Sequence, residues 1–128
     1  MRIEHIAFNV PDPVAFVQWY VANLGYSIRR ESGPPIHMHF IADSAGSVLL
    51  EVYGNDNAPV PDYPRQDPLV VHVAYACDDI AADRGRLLDA GATIAQDTTT
   101  TPAGDTLCML RDPWGFPIQL VQRSEPLL

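Results

Sequence analysis

The sequence predicts an α+β fold made of two βαβββ modules in tandem, each a mixed sheet with one helix on its outer face. Three observations predict it. IEHIAF at 3–8 and VVHVAY at 70–75 repeat one pattern, a histidine among β-branched and aromatic neighbours, 67 residues apart. The flanking features recur in order: Asp12 matches Asp79, Leu24-Gly25 matches Ala90-Gly91, and LLEVY (49–53) lines up with PIQLV (117–121). Between the two copies, 54–68 contains Pro59, Pro61, Pro64 and Pro68 with Gly and Asn, which reads as a stiff irregular connection.

The elements follow from local chemistry. The first strand spans about 2–9. Asp12 is a good N-cap and Pro13 suits the first helical position. Val14, Val17, Val21 and Leu24 recur at helical spacing, and Gly25 is a left-handed stop. Strands at about 26–31, 36–42 and 47–53 complete the first module. The second opens with a strand at about 69–76. A helix then runs from Asp78/Asp79 to Ala90, anchored by Ile80, Leu87 and Leu88 and stopped by Gly91. Strands at about 92–97, 104–111 and 116–122 follow. TTTT at 98–101 reads as a loop, and lacks the glycines of a phosphate cradle. The chain is thus expected to be a single domain over 1–128: module 1 about 1–53, a linker 54–68, and module 2 about 69–124.

Strand alternation sorts the side chains onto two faces. Ile6 and Phe8, Leu50 and Val52, Val71, Val73 and Tyr75, and Ile118 and Leu120 are expected under the helices. The opposite face then carries one polar group per strand: His5, Glu51, His72 and Gln119. A carboxylate flanked by Leu50 and Val52 is costly to bury unless paired or bound to a cation, which makes Glu51 the most telling of the four. His37 and His39 in PIHMHF form a rival pair, sharing a strand face, but they have no counterpart in the second half and read as pocket-rim or surface residues. Asn9, Tyr53, Met109 and Trp114 are candidates to line a substrate pocket. Arg111 is a candidate for holding an anionic substrate, with Asp112 or another acid as the structural alternative.

Composition narrows the function classes. The 128 residues carry 8 positive and 16 negative side chains, net −8, and every positive one is Arg. No basic stripe tracks phosphates, so nucleic acid is excluded as the expected partner. Without lysine, Schiff-base chemistry on a side-chain amine is excluded as well. No run reaches membrane-spanning length and Met1–Pro11 has no secretory pattern. Cys77 and Cys108 read as reduced, packed thiols. The expected setting is cytoplasmic.

Nearly the whole chain resembles the vicinal oxygen chelate superfamily, also called the glyoxalase/bleomycin-resistance/dioxygenase superfamily. The resemblance is carried by IEHIAFNVPD, WYVANLGY, LLEVY, VVHVAYACDDI, LLDAGA and, most specifically, DPWGFPIQLVQR. It implies a cupped mixed sheet around a divalent metal held by His5, Glu51, His72 and Gln119, usually in a homodimer. Zn, Ni, Co, Fe and Mn all suit two imidazoles, a carboxylate and an amide oxygen. Gln119 departs from the family's more frequent Glu, which leaves Glu51 as the expected catalytic carboxylate. The activity implied is that of a metal-dependent glyoxalase-like lyase or isomerase acting on a small oxygen-chelating substrate. The alternatives are a metal-free drug-sequestering protein of the bleomycin-resistance type and a non-haem Fe(II) dioxygenase.

Overall fold

The computed structural model describes residues 1–127. The chain forms two compact units, Met1–Pro61 and Asp62–Leu128, so the division falls inside the proline-rich connection. In the first unit, β1 (Ile6–Asn9), α1 (Pro13–Leu24), β2 (Ser27–Glu31), β3 (His39–Ala42) and β4 (Leu49–Tyr53) give one βαβββ module. The sheet order is β1-β4-β3-β2, with β1 parallel to β4 and the other pairs antiparallel. In the second, β5 (Val73–Ala76), α2 (Ile80–Asp89), β6 (Thr93–Thr100), β7 (Thr106–Arg111) and β8 (Pro117–Gln122) repeat the plan, in the order β5-β8-β7-β6.

Both helices start as their sequences dictate. The Asp12 carboxylate accepts from the Ala15 amide and that of Asp79 from the Ala82 amide, each at 3.0 Å. Each bond satisfies an amide that the first turn would otherwise leave without a partner. Gly25 ends α1 with φ 71°. The stripe α1 buries differs from the expected valines. Pro13, Phe16, Val17 and Tyr20 are buried, while Val14 and Val21 are more than a third exposed. The larger rings win the sheet-facing side because each buries more apolar area. Phe16 and Tyr20 stack with centroids 4.2 Å apart, and Leu50, Val52, Ile41 and Ala42 complete this core. In the second unit Ile80 and Leu87 of α2 are buried, as are Cys108, Leu110, Ile118 and Leu120.

Three further expectations are corrected. The first strand of each module is shorter than its apolar run, so His5 and His72 each stand one residue before their strand. Ile6, expected under the helix, is 45% exposed, whereas Phe8 two residues on is buried. TTTT is largely strand: β6 continues to Thr100, pairing Thr99 with Leu107 and Thr100 with Thr106. A tight turn closes the hairpin through Thr101 N–H to Asp105 O, 2.8 Å, and Gly104 N–H to Thr101 O, 2.9 Å. β-Branched residues suit such an exposed edge strand, and two register shifts interrupt its pairing.

Candidate metal centre

β4 carries Glu51 at the middle of its sheet, register-paired with Ala7 on one side and Phe40 on the other. β8 carries Gln119 in the same place, paired with Ala74 and Met109. The two modules therefore match not only in element order but in having one small and one large residue beside the polar group. Residues paired across a ladder point to the same face. Ala7 and Ala74 are the small neighbours, and Phe40 and Met109 the large ones. His5 and His72 each stand two residues before the alanine.

In the first unit the structure brings two of the expected residues together. His5 Nε2 lies 3.3 Å from Glu51 Oε2, with the two side chains 36% and 21% exposed. The Phe40 ring meets the imidazole edge-on at 5.4 Å. His5 Nδ1 is engaged by the Glu4 carboxylate. A carboxylate can only accept, so this contact places a hydrogen on Nδ1. Nε2 of a neutral ring would then set its lone pair against the Glu51 oxygen. Only a proton or a cation between the two atoms makes the pair attractive. The hydrogen bond to Glu4 raises the His5 pKa above its ordinary 6.5, and the charges of Glu4 and Glu51 add to this against a lowering by burial.

The second unit supplies His72 and Gln119. His72 Nδ1 donates to the Pro68 carbonyl at 2.8 Å, which leaves Nε2 as the ring's free donor atom. Gln119 is half-buried. On its face of the sheet, Ala74, Ala76 and Val121 line a cavity of about 500 Å³ with Cys77, Asp78, Arg123, Pro126 and Leu127. Among the described residues, no three His, Cys, Asp or Glu side chains are gathered closely enough to hold an ion.

The residues expected around the pocket have definite places. Asn9 is buried and spends its amide on the connection: Nδ2 donates to Asn55 O (3.1 Å) and Ala58 O (2.9 Å), and Oδ1 accepts from Asn55 N–H (2.8 Å). Tyr53 is half-buried opposite Asn9. Met109 is buried beside Gln119. Among the described residues, Arg111 pairs with no acid. Its guanidinium donates to three carbonyls, Tyr63 O (2.7 Å), Gln66 O (2.7 Å) and Gly115 O (2.9 Å). Trp114 sits half-buried in the β7–β8 turn, which the buried Asp112 ties by accepting from Trp114 N–H and Phe116 N–H at 2.9 Å. DPWG is thus a turn-forming motif. His39 is buried and lines a cavity with His37, its Nδ1 donating to His37 O at 2.7 Å and its Nε2 3.7 Å from Glu31. His37, at φ 44°, lines two cavities. Phe40 and Glu4, both touching His5, escaped the sequence reading. Alternation along β3 from the buried Ile41 would have placed Phe40 on the Glu51 face.

A pair of βαβββ modules with polar groups at matched central positions defines a recognisable class. A model of the Glyoxalase/Bleomycin resistance protein/Dioxygenase superfamily matches residues 2–120, and the chain belongs to that superfamily. The ethylmalonyl-CoA/methylmalonyl-CoA epimerase of Cereibacter sphaeroides is 28% identical over 99 residues, covering 73% of each chain. A glyoxalase family protein from Bacillus cereus has the same fold with a TM-score of 0.81, at 14% identity over 95% of this chain and 93% of that one. A variant of glyoxalase I from Zea mays gives a TM-score of 0.75 at 21% identity, over 97% of this chain and 46% of that one.

Proposed function

We propose that the protein is a divalent-metal-dependent isomerase or lyase of the glyoxalase type, acting on a small substrate through two neighbouring oxygens. The observation that carries this reading is the approach of His5 Nε2 to Glu51 Oε2 at 3.3 Å with Nδ1 already bound to Glu4. Two ligands, each about 2.1 Å from one ion, stand about 3.0–3.4 Å apart at octahedral or tetrahedral angles. The observed separation suits two donors on one cation, as it also suits a protonated imidazole facing the carboxylate. His72 and Gln119 hold the matched positions of the second module, and His72 keeps Nε2 free. In this reading the four residues serve one ion, in a cytoplasmic homodimer.

A bound ion supplies Lewis acidity toward chelated oxygens. The chain's own residues supply the rest. Glu51 is the carboxylate able to take a proton from the carbon beside those oxygens, because the Gln119 amide is no proton acceptor. Phe40 and Met109 flank the two central positions with apolar surface. The epimerase relative supports an isomerase, in which a proton leaves that carbon and one is then returned to the substrate. The test is hydrogen–deuterium exchange followed by NMR in D₂O, with methylmalonyl-CoA and small 2-oxo and 2-hydroxy thioesters as the panel. Exchange that requires added Co²⁺, Ni²⁺, Zn²⁺, Fe²⁺ or Mn²⁺ and is lost in Glu51→Gln is expected. Metal-independent exchange, or none with any ion, contradicts the reading.

A further inference from the structure

Resting on that reading, we propose that Glu4 is the positioning residue of His5: its carboxylate holds Nδ1–H and thereby commits Nε2 to the ion. Glu4 is itself exposed. Among the described residues, its polar partner is the imidazole next to it. In an extended chain, neighbouring side chains point to opposite faces, so Glu4 and His5 would ordinarily diverge. They meet because β1 begins only at Ile6, leaving both residues outside the ladder. The shortness of that strand is what lets an adjacent carboxylate reach the ring.

The second module solves the same problem differently. The residue matching Glu4 is Val71, which offers no acceptor. There the Pro68 carbonyl takes the Nδ1 hydrogen, at 2.8 Å. Both imidazoles thus present Nε2, one fixed by a charged side chain and the other by the backbone. An anionic partner makes an imidazole a stronger donor than a neutral carbonyl does, so His5 is the stronger ligand of the two. Without Glu4, the nearest acceptor for the ring is Glu51, and the hydrogen would move to Nε2, the atom the ion needs.

The experiment has two readouts on the full chain. The first is the His5 tautomer in metal-free protein, from imidazole nitrogen shifts at a pH where the ring is neutral. The second is Co²⁺ affinity, from the visible absorption of the Co²⁺-loaded protein in competition with a chelator. In wild type the Nδ1–H tautomer is expected. Glu4→Ala moves the hydrogen to Nε2 and weakens Co²⁺ by about 10- to 100-fold. Glu4→Asp restores part of both, and Val71→Ala changes neither. If Glu4→Ala keeps the wild-type tautomer and binds Co²⁺ within twofold, while His5→Ala abolishes uptake, the role assigned to Glu4 is overturned. Failure of the metal reading looks different: wild type shows the Nδ1–H tautomer yet takes up no Co²⁺, which removes the ion and Glu4's part in holding it.

Discussion

Replacing Gly115 with alanine should be among the most damaging single-methyl changes in the chain. A Cβ built there would lie 2.5 Å from Pro64 Cγ, 2.7 Å from Pro64 Cα and 2.8 Å from Pro64 N. Two of those atoms are backbone, so no side-chain rotation relieves the clash. Gly115 also has φ +83°, where an alanine costs about 1–2 kcal/mol by itself. Overpacking of a fixed site adds about 1–3 kcal/mol. Moving the turn would also stretch the bond from Arg111 to Gly115 O, so the total is about 2–5 kcal/mol. Gly104 is the internal control. Its φ is +88°, but its nearest neighbour is Ser124 Cβ at 3.5 Å, an ordinary contact. Gly104→Ala should therefore show the backbone cost alone. Urea unfolding of the two variants measures the difference, which should exceed about 1 kcal/mol. If the two lose stability equally, the close approach of the Pro64 segment to this turn has no energetic weight and the reasoning fails.

Other consequences follow from the same packing. Arg111→Met leaves the Tyr63, Gln66 and Gly115 carbonyls without their donor and should cost about 3–5 kcal/mol, with Arg111→Lys recovering only a part; denaturant melts decide, and a loss below about 1 kcal/mol would contradict the assigned role. Asn9→Ala removes three hydrogen bonds to 55–58 and should lower stability by about 1–3 kcal/mol, with proteolysis within that segment accelerated before the core opens. Asp105 has its pKa held below 3.8, first by the Ser124 amide and then by Arg123. The unfolded chain therefore takes up this proton first. The stabilisation is full above the ordinary carboxylate value and is lost as the pH falls from 3.8 toward the lower folded value, so Asp105→Asn should flatten the melting-temperature profile in that acid window and leave its shape near neutrality unchanged.

Much of this architecture could be read from the residues because local chemistry and tertiary packing agree. Asp12-Pro13 and Asp79 start the helices in the structure as capping rules require, and the offset between IEHIAF and VVHVAY reappears as an alanine ladder partner for both Glu51 and Gln119. What misled the reading was tertiary. The valines of α1 have the right spacing, but Phe16 and Tyr20 bury more surface and turn the helix toward themselves. TTTT is largely strand because β-branched residues suit an exposed edge paired to a neighbouring strand. The bonds of Arg111 and Asn9 were not legible because all but one of the carbonyls they serve lie more than 40 residues away in sequence, at 55–66. No periodicity reports that a connection without regular structure will be bonded down by side chains from distant strands. The His5–Glu51 approach was legible through the repeat and through the cost of burying a carboxylate between Leu50 and Val52.

The most direct test of the account is anomalous X-ray scattering from crystals grown with Co²⁺, measured on both sides of the metal's absorption edge. The account predicts one strong peak with His5 Nε2, Glu51 Oε2 and His72 Nε2 each about 2.0–2.3 Å away. A peak held instead by His37 and His39, or no peak beside Glu51 at saturating Co²⁺, would contradict it.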